Sequence, residues 1–183
     1  MAETTTTADA DPDELSRQLG ALPVEARVAF ATACAERLTG YSRHSPGSET
    51  YELARSAREL ARRFVAGAAI AGEELDTLTS RLESSPDIDD HDIAASAFAL
   101  ECLRTGEVQP AVWAAGRAYD ARERAAEKRM VFKVYTPEID AALLRDPDLQ
   151  TELARQQADL DALRRDPQSG SRVAGGRLSS TTE

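Results

Sequence analysis

The stretch 23–41, PVEARVAFATACAERLTGY, decides the fold, because its start, its apolar face and its stop can all be read from the residues. Pro23 suits a first helical turn, where a missing N–H costs nothing, and Gly40 offers a left-handed exit at the other end. Val24, Val28, Ala31, Ala35 and Leu38 recur at steps of three and four, which lays them on one stripe of a helix, with Cys34 beside it. Most of these side chains are small. Alanine lets a neighbouring helix axis approach closely, so the stripe predicts a helix enclosed by others.

Other helices follow on both sides. DELSRQLGAL, from Asp13, predicts a short helix capped by Asp11 or Asp13 and closed by Gly20, with Leu15, Leu19 and Leu22 on the core. Ser48, with Tyr51 and Glu52 behind it, marks the start of a long helix to Gly67 that carries Arg55, Arg58, Arg62 and Arg63 in its second half, where cations suit the helix dipole. Glu73 and Glu74 open the next helix, with Leu75, Leu78 and Leu82 on its apolar side. Ile93 to Thr105 is apolar on most sides and ends at Gly106, which predicts a second inner helix.

Pro110 opens a helix that runs to about Lys133, with Trp113 and Tyr119 marking a buried start. Arg117, Arg122, Arg124, Lys128 and Arg129 alternate there with Asp120, Glu123 and Glu127 at spacings that permit pairing along one face. MVFKVYTP is a helix end or an extended connector, since one short alternating run has no partner strand. Thr136 with Pro137, and Asp146 with Pro147, start two final helices. Residues 1–12 and 166–183 are expected to be disordered, the first threonine-rich and acidic and the second rich in glycine and serine. The expectation is therefore an all-α chain: a single helical bundle of about six to eight helices over residues 13–165, between two tails.

Composition narrows the function classes. The net charge is −10, which opposes nucleic acid and anionic membranes and favours a cationic partner. No stretch reaches the roughly 18 unbroken apolar residues of a membrane span, and the first residues lack the basic and apolar parts of a signal peptide, so a cytoplasmic protein is expected. Cys34 and Cys102 sit in helical stretches without CxxC or Cys/His spacing, as buried thiols do in a reducing compartment. His44, in the connector YSRHSPGSE, is expected to be a solvated loop group.

The most charged feature is SSPDIDDHD, residues 84–92, which places Asp87, Asp89, Asp90, His91 and Asp92 ahead of a helix. Such oxygen density suits a divalent cation, but the loop lacks the alternating ligands, central glycine and distal glutamate of an EF-hand. The helix start accounts for Asp89 and Asp90 as caps, so no metal and no cofactor are assigned.

Two blocks carry a resemblance. Phe30, Cys34, Glu36 and Arg37 fall in an aromatic-Ala-small-small-Cys-Ala-Glu-Arg pattern, and Pro147, Gln150, Glu152 and Gln156 in a P-x-x-Q-x-E-x-x-x-Q pattern, with the acidic loop and an alanine-rich helix between them. Over residues 22–165 the chain resembles a bacterial family of uncharacterised, wholly helical cytosolic proteins, similar in look to predicted immunity proteins encoded beside polymorphic toxins. It departs from that family at LTGY, where a Leu-Pro-x-Tyr turn is usual, and in its hydrophilic start. The resemblance implies an immunity-type role.

No GxSxG, P-loop, HExxH or dinucleotide-binding glycine series occurs, so no reaction is indicated and binding is favoured over catalysis. Residues 73–92 hold eight acids against one arginine. Glu73, Glu74, Asp76, Asp87, Asp89, Asp90 and Asp92 are therefore the candidate surface for a protein partner such as a cationic toxin domain, which carboxylates mimicking phosphates would cover. The alternative is a metal-dependent helical-bundle hydrolase built on the Asp87–Asp92 loop, with Asp89, Asp90, His91 and Asp92 as ligands, although it lacks the ExxH pairs of bundle metal sites. Glu36 and Arg37 are expected to form structural ion pairs.

Overall fold

In the computed structural model, which describes residues 12–130 and 136–175, the chain is all-α, with no strand among the described residues. Among the described residues nine α-helices follow in order: α1 Pro12–Gly20, α2 Val24–Arg37, α3 Glu49–Val65, α4 Gly72–Glu83, α5 His91–Thr105, α6 Gln109–Arg129, α7 Pro137–Leu143, α8 Pro147–Arg165 and α9 Gly170–Ala174. Residues 1–11, the 131–135 part of the MVFKVYTP run, and 176–183 lie outside the described residues. No described helix is long and apolar enough to cross a membrane.

α2 is the axis of the bundle. It packs against α3, α5, α6, α8 and α9, and every residue from Val28 to Ala35 is buried. Burial on all sides explains why small side chains dominate: each alanine faces a different neighbour that must come close. α5 is the second inner helix, closed in by α2, α3, α4 and α6, with Ile93, Ala95, Ala99, Leu100 and Cys102 fully buried. Both inner helices stand where the sequence places them.

The helix ends divide into those set by local chemistry and those set by packing. Ser48 accepts from the Tyr51 N–H at 3.3 Å to cap α3, and Asp146 accepts from Asp148 and Leu149 to cap α8. Gly106 closes α5 in the left-handed region, at φ 70°, which glycine adopts without steric cost. Gly40 does not act in that way. α2 ends at Arg37 and runs on into a 3-10 turn over Thr39–Tyr41, with Leu38 in the right-handed region.

Residues 166–175, expected to belong to a disordered tail, are folded. After α8 a 3-10 turn over Pro167–Ser169 leads into α9, whose Val173 and Ala174 are fully buried. A Cβ built on Gly170 would stand 2.9 Å from Val65 Cγ1 and 3.3 Å from Ala29 Cβ. This glycine is a close-packing position rather than a linker residue, which its glycine- and serine-rich surroundings conceal. Gly170→Ala should therefore lower stability by about 1–3 kcal/mol through overpacking. Urea unfolding checks this, and an unchanged midpoint would detach α9 from the core.

Candidate functional site

The acidic segment lies along α4 and the loop 84–90 that follows it. The loop is folded by its own turns: the Ile88 N–H donates to the Ser85 carbonyl and the Asp90 N–H to the Asp87 carbonyl. Ile88 packs against the core, and this anchors the acids around it. Asp90 occupies the N-cap position of α5, yet its side chain makes no capping hydrogen bond. Its carboxylate turns instead to His44, 3.0 Å away, and to Arg43, 3.3 Å away. The expected side-chain cap is thus replaced by an ion pair to a different part of the chain.

The seven acids of the candidate surface do not share one environment. Asp92 is buried at 4% exposure, within the field of the buried Arg58 guanidinium, so it cannot meet a partner. Glu74 pairs with Arg63 at 2.7 Å. Asp87 accepts from Thr50 Oγ1 at 3.0 Å and stands 3.9 Å from His44 Nε2. Glu73, Asp76 and Asp89 are exposed and outside ion-pair distance of any described cation; Arg104 feels Asp76 only through the longer-range field.

The ligand set of the hydrolase reading does not assemble. Asp92 faces inward, and both ring nitrogens of His91 are buried without a hydrogen-bond partner. Burial, with Arg124 nearby, pulls the His91 ring below the usual histidine range, so it is neutral at pH 7. The histidine that meets the loop is His44, from the connector, and it is largely covered rather than solvated. Nothing local in the sequence signals this contact, because the partners lie 46 residues apart.

The two blocks that carry the family resemblance come together in the interior. Arg37 Nε donates to Glu152 Oε1 and Oε2 at 3.0 and 3.2 Å, and its Nη1 donates to Asp159 Oδ2 at 2.6 Å. Gln156 donates to Glu152 Oε1 at 3.1 Å and to the Ala115 carbonyl at 3.2 Å. Arg122 adds a longer contact to Glu152, at 3.4 Å, and lies over the Tyr41 ring at 4.0 Å. Glu152 is wholly buried. Burial pushes the Asp159 carboxyl above the ordinary aspartate range, and Arg37 pulls it back. It also pushes the Cys34 thiol up, and the Cys102 thiol up to about 12, so both remain neutral and unreactive.

Glu36 joins a second cluster, with Arg62 at 2.5 Å and Arg58 at 3.6 Å. Both residues of the Glu36–Arg37 pair thus serve ion pairs between helices. The charges of α6 depart from expectation: Arg122 is buried, and Arg129 reaches the cap Asp146 and Asp148 in the first turn of α8 instead of acids on its own helix. Helical spacing held the signal for Arg122, which falls on the buried stripe Ala111, Ala115, Ala118.

The same spacing puts Trp113 off that stripe. It is 49% exposed, not the buried start expected, and with Phe98, 5.3 Å away between ring centres, it walls an open groove that Leu15, Leu144 and Gln156 also line.

No family model matches the chain, and no curated protein matches it. Among solved structures it is similar to a DUF416 family protein from Shewanella baltica, with a TM-score of 0.65 and 14% identity, over 88% of this chain and 90% of that one. At that identity the likeness extends to the helical fold alone.

Proposed function

We propose that the chain is a protein-binding module whose partner presents a cationic face, in the immunity-type role of neutralising a toxin domain. The observation that carries the reading is the disposition of Glu73, Asp76 and Asp89: three exposed carboxylates, none in an ion pair with a described residue, on α4 and the loop that follows. Glu74, Asp87 and Asp90 flank them but are already engaged within the chain. Carboxylates without an internal partner give up least when a cationic surface covers them, and the net charge of −10 adds long-range attraction that speeds encounter.

The test is capture of a partner from the host lysate by the wild-type chain, followed by binding kinetics with the isolated partner. Changing Glu73, Asp76 and Asp89 together to lysine should slow association at least about tenfold, as should raised salt for the wild type, with the melting temperature unchanged. Equal association rates for the two proteins would remove the acidic face from the mechanism.

A further inference from the structure

His44 and the acidic loop meet in a geometry that goes beyond the docking surface. His44 comes from the connector ahead of α3, and Asp87 and Asp90 from the loop ahead of α5. One ligand atom from each lies within 4.8 Å of the other two. His44 Nε2 is 3.0 Å from Asp90 Oδ2 and 3.9 Å from Asp87 Oδ2. Donor atoms around tetrahedral zinc, at about 2.0–2.1 Å from the metal, stand about 3.3 Å apart. The two His44 separations bracket that value, and the Asp87 and Asp90 ligand oxygens, within 4.8 Å of each other, would draw together by side-chain rotation to complete the set.

The surroundings suit the ligands as well. Arg43 Nη1 sits against Asp90 Oδ1, leaving Oδ2 directed at the imidazole, and Thr50 Oγ1 donates to Asp87 Oδ2 at 3.0 Å. Such outer contacts orient ligating carboxylates. The His44, Asp87 and Asp90 side chains are 18%, 36% and 16% exposed, so the trio is held by the fold but reachable from water. An imidazole among the ligands favours zinc over magnesium or calcium, which take oxygen. Charge points the same way: two carboxylates face one imidazole, and among the described residues Arg43 is the only Arg or Lys paired with either and is 70% exposed.

We propose that His44, Asp87 and Asp90 form a zinc site, with water in the fourth position, that ties the connector before α3 to the loop before α5. The proposal stands apart from the docking surface, since it uses neither Glu73, Asp76 nor Asp89.

The experiment uses the tag-free full chain, stripped with chelator and titrated with zinc by calorimetry, with thermal melting in parallel. One equivalent of zinc should bind and raise the melting temperature by several degrees. His44→Ala and the shape-conserving Asp87→Asn should each weaken zinc binding by at least about tenfold, whereas His91→Ala, outside the trio, should bind as the wild type does. Cobalt in place of zinc should give the visible absorption of a four-coordinate site, and magnesium and calcium should leave the melting temperature unchanged. Zinc binding indifferent to both His44→Ala and Asp87→Asn would overturn the site. So would a folded wild type that shows no binding at about 100 µM zinc, where a site of micromolar affinity would be filled; any loss of stability in His44→Ala would then belong to an ion pair alone.

Discussion

Glu152→Ala is expected to lower the unfolding free energy by about 3–5 kcal/mol, the cost of breaking a buried ion pair from one side. The magnitude follows from what is left behind. Glu152 is fully buried and accepts from Arg37, Arg122 and Gln156, so its removal strands two guanidinium groups with few alternatives. Asp159 retains its contact with Arg37, which keeps the loss within that range. Urea unfolding of the purified variant measures it. A loss below about 1 kcal/mol, the scale of an exposed pair, would mean that the network is far more hydrated than its burial indicates. Arg37→Met combined with Glu152→Leu should recover much of the stability, because exchanging a buried pair for apolar groups of similar volume removes both desolvation penalties.

Ala31→Arg is expected to abolish folding. Ala31 lies fully buried in the middle of α2, the helix on which five others pack, and an arginine there adds both volume and an unpaired charge between close-set axes. The cost, about 4 kcal/mol or more, approaches the whole stability of a small domain. Loss of soluble protein, or a circular dichroism melt without a cooperative transition, is the expected result. A variant that melts like the wild type would show that α2 is not the axis.

What could be read in advance, and what could not, follows from the range of the forces involved. The enclosure of α2 is written in its small residues and that of α5 in its all-round apolarity, and both are properties of one segment. The caps Ser48 and Asp146 and the αL exit at Gly106 are likewise local. Arg37 with Glu152, and His44 with Asp90, depend on which helices become neighbours, and no spacing along the chain encodes that. Trp113 and Arg122 are an intermediate case. Residue type suggested that the tryptophan is inside and the arginine outside, whereas helical period pointed the other way and prevailed. For α9, composition misled: glycine and serine imply a linker, but Gly170 is small because Val65 and Ala29 stand against it.

The placement of α9 on α2 also bears on how the chain is made. The helix that needs the most walls is synthesised among the first, and one of its walls among the last, with about 130 residues between Arg37 and Gly170. At about 5–20 residues per second, roughly 7–27 s separate their emergence from the ribosome. Through that interval the face of α2 around Ala29 lacks the covering that α9 gives it, so the nascent chain presents an alanine-lined apolar strip to chaperones and to neighbouring chains. A product cut short after Arg165 would carry that strip permanently, and quality control would meet it as an incompletely folded protein however well the other eight helices had formed.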